Sequence, residues 1–151
     1  MSIELSLASS ADMPYFHLAF PEFQISSQSS GNLGQRFSES FRKAFDQGAA
    51  TVIVIGTDIP ALNRSIIQSA FEALTENDVV IGPDMDGGYY LIGTRLRKAA
   101  IFDDIDWSSE RVFQQTEQLV LAQGLSISYL PTLSDVDTDE DFRRWLAGRV
   151  M

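Results

Sequence analysis

The sequence predicts an α/β fold with a mostly parallel sheet that contains one antiparallel strand. Short apolar runs alternate with longer segments of helical periodicity, which is the pattern of helices layered on a sheet. The run at 52–55, Val-Ile-Val-Ile, has no polar alternation and is typical of a strand buried on both faces. Asp-Gly-Gly at 86–88 fits a tight reversal between two apolar runs, so these two strands are expected to be antiparallel.

The first part of the chain is expected to form two strands and two helices. Residues 3–7 alternate between apolar and polar side chains, as a half-buried strand does. Residues 13–20 are expected to form a short helix with Pro14 in its first turn, where proline is well tolerated. A second strand is expected over 23–26. A longer helix is expected over 34–46, because its apolar residues recur at helical spacing.

The remaining elements follow the buried strand. A helix begins after Asn63, whose side chain is a good N-cap, and two apolar strands at 78–81 and 89–92 flank the tight reversal. The last three elements are a helix over 108–124, a strand over 126–130 and a helix over 139–147. No repeat, linker or low-complexity tract interrupts them, so residues 1–151 are expected to form a single domain.

The composition excludes several classes of function. The net charge is −10 and the sequence pI is near 4.3, which disfavours nucleic acid and anionic membranes as partners because both require a basic surface. The chain has no cysteine, so disulfides, zinc–thiolate sites and cysteine nucleophiles are excluded. No segment approaches the roughly 18 apolar residues that a membrane span requires. The protein is therefore expected to be cytoplasmic.

Asp58 follows the buried strand and lies between Gly56 and Pro60. A carboxylate in this position is costly unless water, a cation or a hydrogen-bond donor meets it. Two interpretations stay open from the residues alone: Asp58 caps the following turn, or it binds a hard cation such as Mg²⁺ or Mn²⁺. The second agrees with the place where open α/β sheets bind ligands, beyond the carboxyl ends of their strands.

A second acidic segment, at 134–141, precedes the last helix. Thr138 is a good N-cap with Asp141 at the capping-box position, and acids in the first turn favour the helix dipole. These roles leave Asp135 and Asp137 unexplained. If Asp137 approached Asp58, two unit charges about 4 Å apart would repel by roughly 4 kcal/mol at a surface-like dielectric, and a cation would be required.

Two glycine-bearing loops are further candidates. A hairpin at 82–88 needs only Asp86 and Gly87, so the added Gly88 and the tyrosines that follow it indicate close approach of a ligand with an aromatic wall. The loop at 28–36 opens a helix and can present backbone N–H groups to an anion or a base edge. A plain loop before a helix explains that second segment equally well.

Together these segments resemble the radical-SAM/selenodomain-associated (arsenosugar-type) transferases, a branch of the nucleotide-diphospho-sugar transferase (GT-A) superfamily that also includes cofactor guanylyltransferases. The resemblance runs from residue 3 to about 145 in the family's order. One matching segment spans 82–93, and its stretch Asp-Gly-Gly-Tyr-Tyr-Leu-Ile-Gly at 86–93 is the most specific motif. The other matching segments are Gln28 with GNLGQR at 31–36, IGTDIP at 55–60, IDWS at 105–108 and DVDT at 135–138.

The resemblance implies a three-layer α/β/α sandwich and gives roles to individual residues. Asp58 would take the place of the superfamily's metal-binding aspartate and Asp137 that of the second acidic ligand, with Mg²⁺ or Mn²⁺ as the expected cofactor. Asp86 would be catalytic. A nucleotide-sugar or nucleotide is the expected ligand, its base side formed by Gln28, Gly31, Asn32, Gly34 and Arg36, and its sugar or acceptor side by Gly87, Gly88, Tyr89 and Trp107.

The sequence departs from the family pattern at its start. Members open with a central strand and a loop of Gly, Lys, Thr and Arg that cradles the diphosphate, and nothing here corresponds to them. The domain is therefore expected to lack the family's first β–α unit. The missing strand would leave an exposed sheet edge that favours a homodimer or higher oligomer. Asn32 also stands where the family has aspartate.

Three functions stay open at this level. The first is a metal-dependent glycosyltransferase that uses a nucleotide-diphospho-sugar donor. The second is a truncated or inactive relative that serves as a binding or assembly module, and the third is a cofactor nucleotidyltransferase. The retained acidic and glycine motifs favour the first, whereas the absent phosphate loop favours the second.

Overall fold

Strands and helices alternate along the chain in the computed structural model, which describes residues 1–98 and 100–149. The strands are β1 (Glu4–Leu7), β2 (Gln24–Ser27), β3 (Val52–Ile55), β4 (Val79–Pro83), β5 (Tyr89–Thr94) and β6 (Ile127–Tyr129). The helices are α1 (Met13–Ala19), α2 (Leu33–Asp46), α3 (Arg64–Ala73), α4 (Val112–Ala122) and α5 (Asp139–Arg149). Within the described residues, no helix has the length and apolar character to cross a bilayer.

Four strands form one sheet in the order β3-β5-β4-β6. β4 and β6 are parallel, and β5 is antiparallel to both β3 and β4. Three strands therefore run in one direction and β5 runs in the other, as predicted from the tight reversal between β4 and β5. The carboxyl ends of β3, β4 and β6 consequently lie at the same edge of the sheet.

Helices cover both faces of this sheet and complete the three layers. α2 and α4 cover one face, and we call its interior the α2–α4 core: Phe41, Phe45, Val79, Ile81, Ile92, Ile101, Phe102 and Val120. α3 covers the other face, and its interior is the α3 core: Ile59, Ala70, Leu74, Val80, Tyr90, Leu91 and Leu130. Successive β4 residues enter opposite cores, which is the period of two that a strand imposes.

β3 is less buried than its four β-branched residues predicted. Val52 and Val54 pack against the α2–α4 core and Ile53 packs against the α3 core, so apolar side chains do face both layers. However, among the described residues β3 pairs only with β5 and is the edge of the sheet, and Ile55 keeps 41% of its surface exposed. β3 thus packs against both layers, as predicted, but it is only partly buried, because an edge strand has no neighbouring strand to cover its open side.

β1 and β2 form a separate, two-stranded parallel sheet connected through α1. This unit has little interior of its own: α1 contributes no buried residue, and Ile25 of β2 is its buried apolar side chain. Within residues 1–98 and 100–149, β1 pairs only with β2 and β3 only with β5. Each of the two sheets thus has an edge without a partner strand.

α4 begins at Val112, four residues after the start predicted at Ser108. The residues before it form turns, in which the Ser109 N–H donates to the Asp106 carbonyl at 3.1 Å. The Phe113 N–H donates to the Gly87 carbonyl at 2.8 Å. The β4–β5 loop therefore satisfies a donor in the first turn of α4.

Candidate active site

The loops that follow β3, β4 and β6 meet at the carboxyl edge of the sheet. The Val136 N–H donates to the Asp58 carbonyl at 2.9 Å, which joins the loop after β3 to the segment after β6. The Leu133 N–H donates to the Pro83 carbonyl at 3.1 Å, which joins that segment to the end of β4. Backbone hydrogen bonds rather than flexible side chains therefore set the position of this segment.

Three carboxylates converge where these loops meet. Asp58, Asp135 and Asp137 each offer a carboxylate oxygen, and the three oxygens lie within 4.8 Å of one another. We call this set the acidic triad. The structure brings together the two residues predicted to bind a metal, Asp58 and Asp137, and adds Asp135 as a third. Three oxygen ligands at this spacing fit a hard divalent cation such as Mg²⁺ or Mn²⁺.

Asp135 is the residue of the triad whose environment differs most from water. Burial, a hydrogen bond with the Asp86 carboxyl and the nearby charges of Asp86 and Asp137 raise the pKa of Asp135 to about 6. Asp86, predicted to be catalytic, is therefore in contact with the triad. Four carboxyl groups in one place repel one another when all are ionised, and a bound cation would remove that repulsion.

The rest of the acidic segment caps a helix, as predicted. The Asp141 N–H donates to Thr138 Oγ1 at 3.1 Å, and the Thr138 N–H donates to Asp141 Oδ2 at 3.1 Å. The Thr138 hydroxyl and backbone bonds lower the pKa of Asp141. Because this capping role is filled by residues 138 and 141, the two preceding aspartates of the triad remain available for another role.

The glycines of the β4–β5 loop are required by contacts within the protein. Gly87 has φ +86°, and a Cβ on it would lie 2.0 Å from the Glu110 carbonyl oxygen. A Cβ on Gly88 would lie 2.8 Å from Asp84 Oδ2. The predicted contact of Gly87 and Gly88 with a substrate stays a prediction, but packing alone explains why both are glycine.

Gly87→Ala is expected to destabilise the protein more than Gly124→Ala. Both glycines have positive φ, +86° and +73°, so each alanine carries a backbone strain of about 1–2 kcal/mol. Of these two sites, only Gly87 would bring the new Cβ against a carbonyl, since no atom of the described residues lies within 4 Å of a Cβ at Gly124. Urea unfolding should show that Gly87→Ala lowers the free energy of unfolding by at least about 2 kcal/mol more than Gly124→Ala does. Equal losses would contradict the packing of this loop against the start of α4.

An aromatic contact chain connects the start of α2 with the start of β5. A Cβ on Gly34 would lie 2.7 Å from both the Phe102 carbonyl oxygen and Trp107 Nε1, so only glycine allows this approach. Trp107 packs edge-on against Tyr89, with ring centroids 6.5 Å apart, and burial raises the pKa of Tyr89. Gly34, Tyr89 and Trp107 are thus brought together beside the α2–α4 core, next to the loop that carries Asp86.

The side chains of the 28–36 loop hold the loop itself in place. Arg36 Nε donates to the Gly31 carbonyl at 3.0 Å, and Arg36 Nη1 donates to Gln28 Oε1 at 3.4 Å. Gln28 Nε2 in turn donates to the Ser6 carbonyl at 3.0 Å. A ligand at this loop would therefore meet a pre-ordered backbone, since Gln28 and Arg36 already have internal hydrogen-bond partners.

Asn32 begins α2 with a capping box. The Gln35 N–H donates to Asn32 Oδ1 at 2.9 Å, and the Asn32 N–H donates to Gln35 Oε1 at 2.8 Å, which satisfies two helix-terminal donors. A surface depression of about 650 Å³ lies beside this turn, and its lining includes Asn32, Gly34, Ser38, Glu39, Asp103 and Asp104. Arg42 also lies in this lining and pairs with Glu39, so Asp103 and Asp104 leave the depression with a net negative charge.

The chain has the fold of nucleotide-diphospho-sugar transferase-like proteins. It matches the crystal structure of a provisionally assigned nucleotide-diphospho-sugar transferase from Desulfovibrio desulfuricans G20 with a TM-score of 0.88 and 33% identity, over 95% of this chain and 64% of that one. It also matches Rv0371C of Mycobacterium tuberculosis H37Rv, solved in complex with manganese, with a TM-score of 0.58 and 17% identity, over 97% and 77% of the two chains. The second match supports the fold alone.

Sequence comparison identifies the family. The profile of DUF2064, described as an uncharacterized protein conserved in bacteria, matches residues 1–109, and the chain belongs to this family. A relative from Chloroflexus aggregans (strain MD-66 / DSM 9485), a phosphoenolpyruvate guanylyltransferase, is 28% identical over 119 residues. The chain spans 57% of the length of that relative and 64% of the Desulfovibrio protein.

Proposed function

We propose that this protein is a metal-dependent glycosyltransferase that uses a nucleotide-diphospho-sugar, with Mg²⁺ or Mn²⁺ bound by Asp58, Asp135 and Asp137. The observation that carries the proposal is the convergence of these carboxylates within 4.8 Å at the carboxyl edge of the sheet. This edge is where open α/β sheets bind ligands, and carboxylate oxygens are the ligands that hard cations prefer. The manganese bound by the distantly similar Rv0371C agrees with this choice of ion.

The surrounding residues have distinct proposed roles. A divalent cation would supply neutralisation of the charge that develops on the leaving diphosphate. Asp86, in contact with Asp135, is proposed to accept the proton of the attacking hydroxyl. The base side would be formed by the loop bearing Gln28, Gly31, Asn32, Gly34 and Arg36, and the acceptor side by Gly87, Gly88, Tyr89 and Trp107.

Two finer assignments belong to the same proposal. Membership of the arsenosugar-type branch is supported by the motif at 86–93. A cytoplasmic location is supported by the cysteine-free composition, which suits a reducing compartment. Neither assignment is needed for the chemistry at the acidic triad.

A nucleotidyltransferase is the second candidate, because the Chloroflexus relative is a guanylyltransferase. That reaction would place the same cation against a nucleoside triphosphate and would release pyrophosphate. The two candidates share the acidic triad and differ in the bond that breaks. The leaving group therefore distinguishes them.

Product analysis tests the proposal. With Mn²⁺ and a panel of nucleotide-diphospho-sugars, the protein is expected to release a nucleoside diphosphate, and Asp86→Asn should lower this rate by about 100-fold or more because it removes the proton acceptor. Asp139→Asn makes the same charge change in the first turn of α5 and is the matched control. Pyrophosphate release from a nucleoside triphosphate would instead establish the second candidate. Turnover of neither substrate would favour a binding or assembly module.

Self-association is a further part of the proposal, because β1 and β3 each have an edge without a partner strand in the part of the chain that the structure describes. Light scattering is expected to give a mass above that of a 16.8 kDa monomer. Ile55→Lys places a charge on the exposed residue of β3 and should shift the protein toward the monomer, since charged side chains block edge pairing. A wild-type monomer would contradict the proposal, and an unchanged mass for the variant would exclude the β3 edge as the interface.

A further inference from the structure

The carboxylate of Asp84 closes the loop that carries Asp86. Asp84 Oδ1 accepts the Asp86 N–H at 2.9 Å and the Gly88 N–H at 2.8 Å. The Asp84 N–H also donates to the Gly88 carbonyl at 3.1 Å. Because Gly88 has no Cβ, the Asp84 carboxylate can lie directly against its Cα. One side chain therefore fixes the backbone on both sides of Gly87.

Asp84 also connects this loop to the segment that carries Asp135. Its backbone pairs in parallel with Leu133, whose N–H donates to the Pro83 carbonyl at 3.1 Å. Asp135 follows two residues later, as Asp86 does after Asp84, so the parallel pairing places the Asp135 carboxyl beside that of Asp86. Both partners of the Asp86–Asp135 contact are thus anchored at Asp84.

This anchoring opposes what the charges alone would favour. Asp86 is exposed, so an unrestrained side chain could turn into solvent and away from the like charge of Asp135. A tight reversal between two strands requires only the Asp-Gly at 86–87. The two hydrogen bonds to Asp84 are additional, and they hold the Asp86 backbone where its carboxyl meets the triad.

We infer that Asp84 is a positioning residue of the proposed metal site: it holds the Asp86 carboxylate beside the acidic triad, so that a fourth negative charge acts on the bound cation. This inference rests on the proposed function and deepens it. Asp84 is not one of the three residues whose carboxylate oxygens converge, and its Oδ1 accepts two N–H groups of its own loop, so Asp84 acts through Asp86.

A double-mutant cycle between Asp84→Ala and Asp86→Asn tests the inference. The readouts at pH 7.5 are Mn²⁺ affinity, from the electron paramagnetic resonance signal of free Mn²⁺, and the melting temperature of the metal-free protein. Asp86→Asn alone is expected to lower Mn²⁺ affinity about fivefold and to raise the metal-free melting temperature by about 2–4 °C, because it removes one charge from the cluster. In the Asp84→Ala background it is expected to change neither quantity.

Asp84→Asn is the matched control. Its amide oxygen can accept both N–H groups while the charge is lost, so Mn²⁺ affinity should stay within about twofold of wild type. If Asp84→Ala fails to fold, Asp84→Ser replaces it in the cycle, because a shorter hydroxyl cannot hold both N–H groups. If Asp84→Asn binds Mn²⁺ as weakly as Asp84→Ala does, the inference is overturned, since the charge of Asp84 rather than its hydrogen bonds to the loop would then set the affinity.

The two readouts separate this inference from the proposed function. The inference predicts that the two substitutions are coupled. If instead the double variant loses Mn²⁺ affinity by the product of the two single losses, or shifts the melting temperature by the sum of the two single shifts, Asp84 does not position Asp86 and the inference is overturned. A wild-type protein that binds no Mn²⁺ would overturn the proposed function and the metal-related part of the inference. Coupling in the metal-free melting temperatures would then still support the positioning of Asp86 by Asp84.

Discussion

Asp58→Ala is expected to lower Mn²⁺ affinity by at least about 100-fold with little change in stability. Loss of a residue that merely orients a ligand already lowers metal affinity by about 10–100-fold, so loss of a ligand should exceed that range. The side chain is exposed, and the structural contact of this residue is its carbonyl, which accepts the Val136 N–H and remains in the variant. Calorimetric titration with Mn²⁺ and thermal unfolding measure the two quantities.

Asp139→Ala is the control for the charge lost in Asp58→Ala. It also removes one acid near the carboxyl edge, but that acid belongs to the first turn of α5. Its Mn²⁺ affinity is expected to remain within about threefold of wild type, because a single charge outside the triad is screened by solvent. If both variants bind Mn²⁺ as tightly as the wild type, the acidic triad is not the metal site.

Asp135→Asn is expected to stabilise the metal-free protein at pH 7.5 and to abolish its stabilisation by Mn²⁺. The folded state raises the pKa of Asp135 to about 6 through burial, the bond with Asp86 and like charge, so the ionised form is disfavoured. The amide removes that charge. After allowance for screening by solvent, the free energy of unfolding should rise by about 1–2 kcal/mol, which corresponds to a melting temperature about 3–6 °C higher.

The pH dependence has a defined sign. Because the pKa of Asp135 is higher in the folded than in the unfolded state, the folded state binds more protons between about pH 4 and 6, and stability falls as pH rises through that window. The gain in unfolding free energy of Asp135→Asn over wild type should therefore reach its full value above pH 6 and be small near pH 4. Asp139→Asn, a matched change at the start of α5, should show no gain at either pH. A constant difference between wild type and Asp135→Asn across this window would contradict the assignment.

The order of elements was predictable because local signals agree with the packing. Asn63 caps α3, and the Asp-Gly-Gly at 86–88 joins two antiparallel strands, as their spacing indicated. The exposure of β3 was not predictable. Residues 52–55 carry apolar side chains toward both layers whether or not a strand lies on each side, and the number of partner strands depends on the rest of the chain.

The acidic triad was predictable in part. Asp58 and Asp137 lie after strands whose carboxyl ends share an edge, so their approach follows from the topology. The role of Asp135 depends on its burial and on contact with Asp86, which is remote in sequence. The sequence offered two indirect signals for Asp135: it lies in the matching DVDT segment at 135–138, and the capping pair at 138 and 141 left it without a structural role.

The two loops show why spacing does not fix the direction of a side chain. Gln28, Asn32 and Arg36 were predicted to face a nucleotide, and the structure gives each of them a partner within the protein. Asp84 was not assigned a role, because nothing in the sequence indicates that one carboxylate accepts two N–H groups of its own loop. Such hydrogen bonds depend on backbone geometry that composition and periodicity do not encode.

Calorimetric titration of the wild-type protein with GDP, UDP, ADP and CDP, with and without Mn²⁺, tests the central claim most directly. That claim is that the acidic triad holds a divalent cation against the diphosphate of a nucleotide. The predicted result is binding of at least one nucleotide that requires Mn²⁺ and is lost in Asp58→Ala. Nucleotide binding of equal strength without Mn²⁺, or Mn²⁺-dependent binding that Asp58→Ala retains, would contradict the claim.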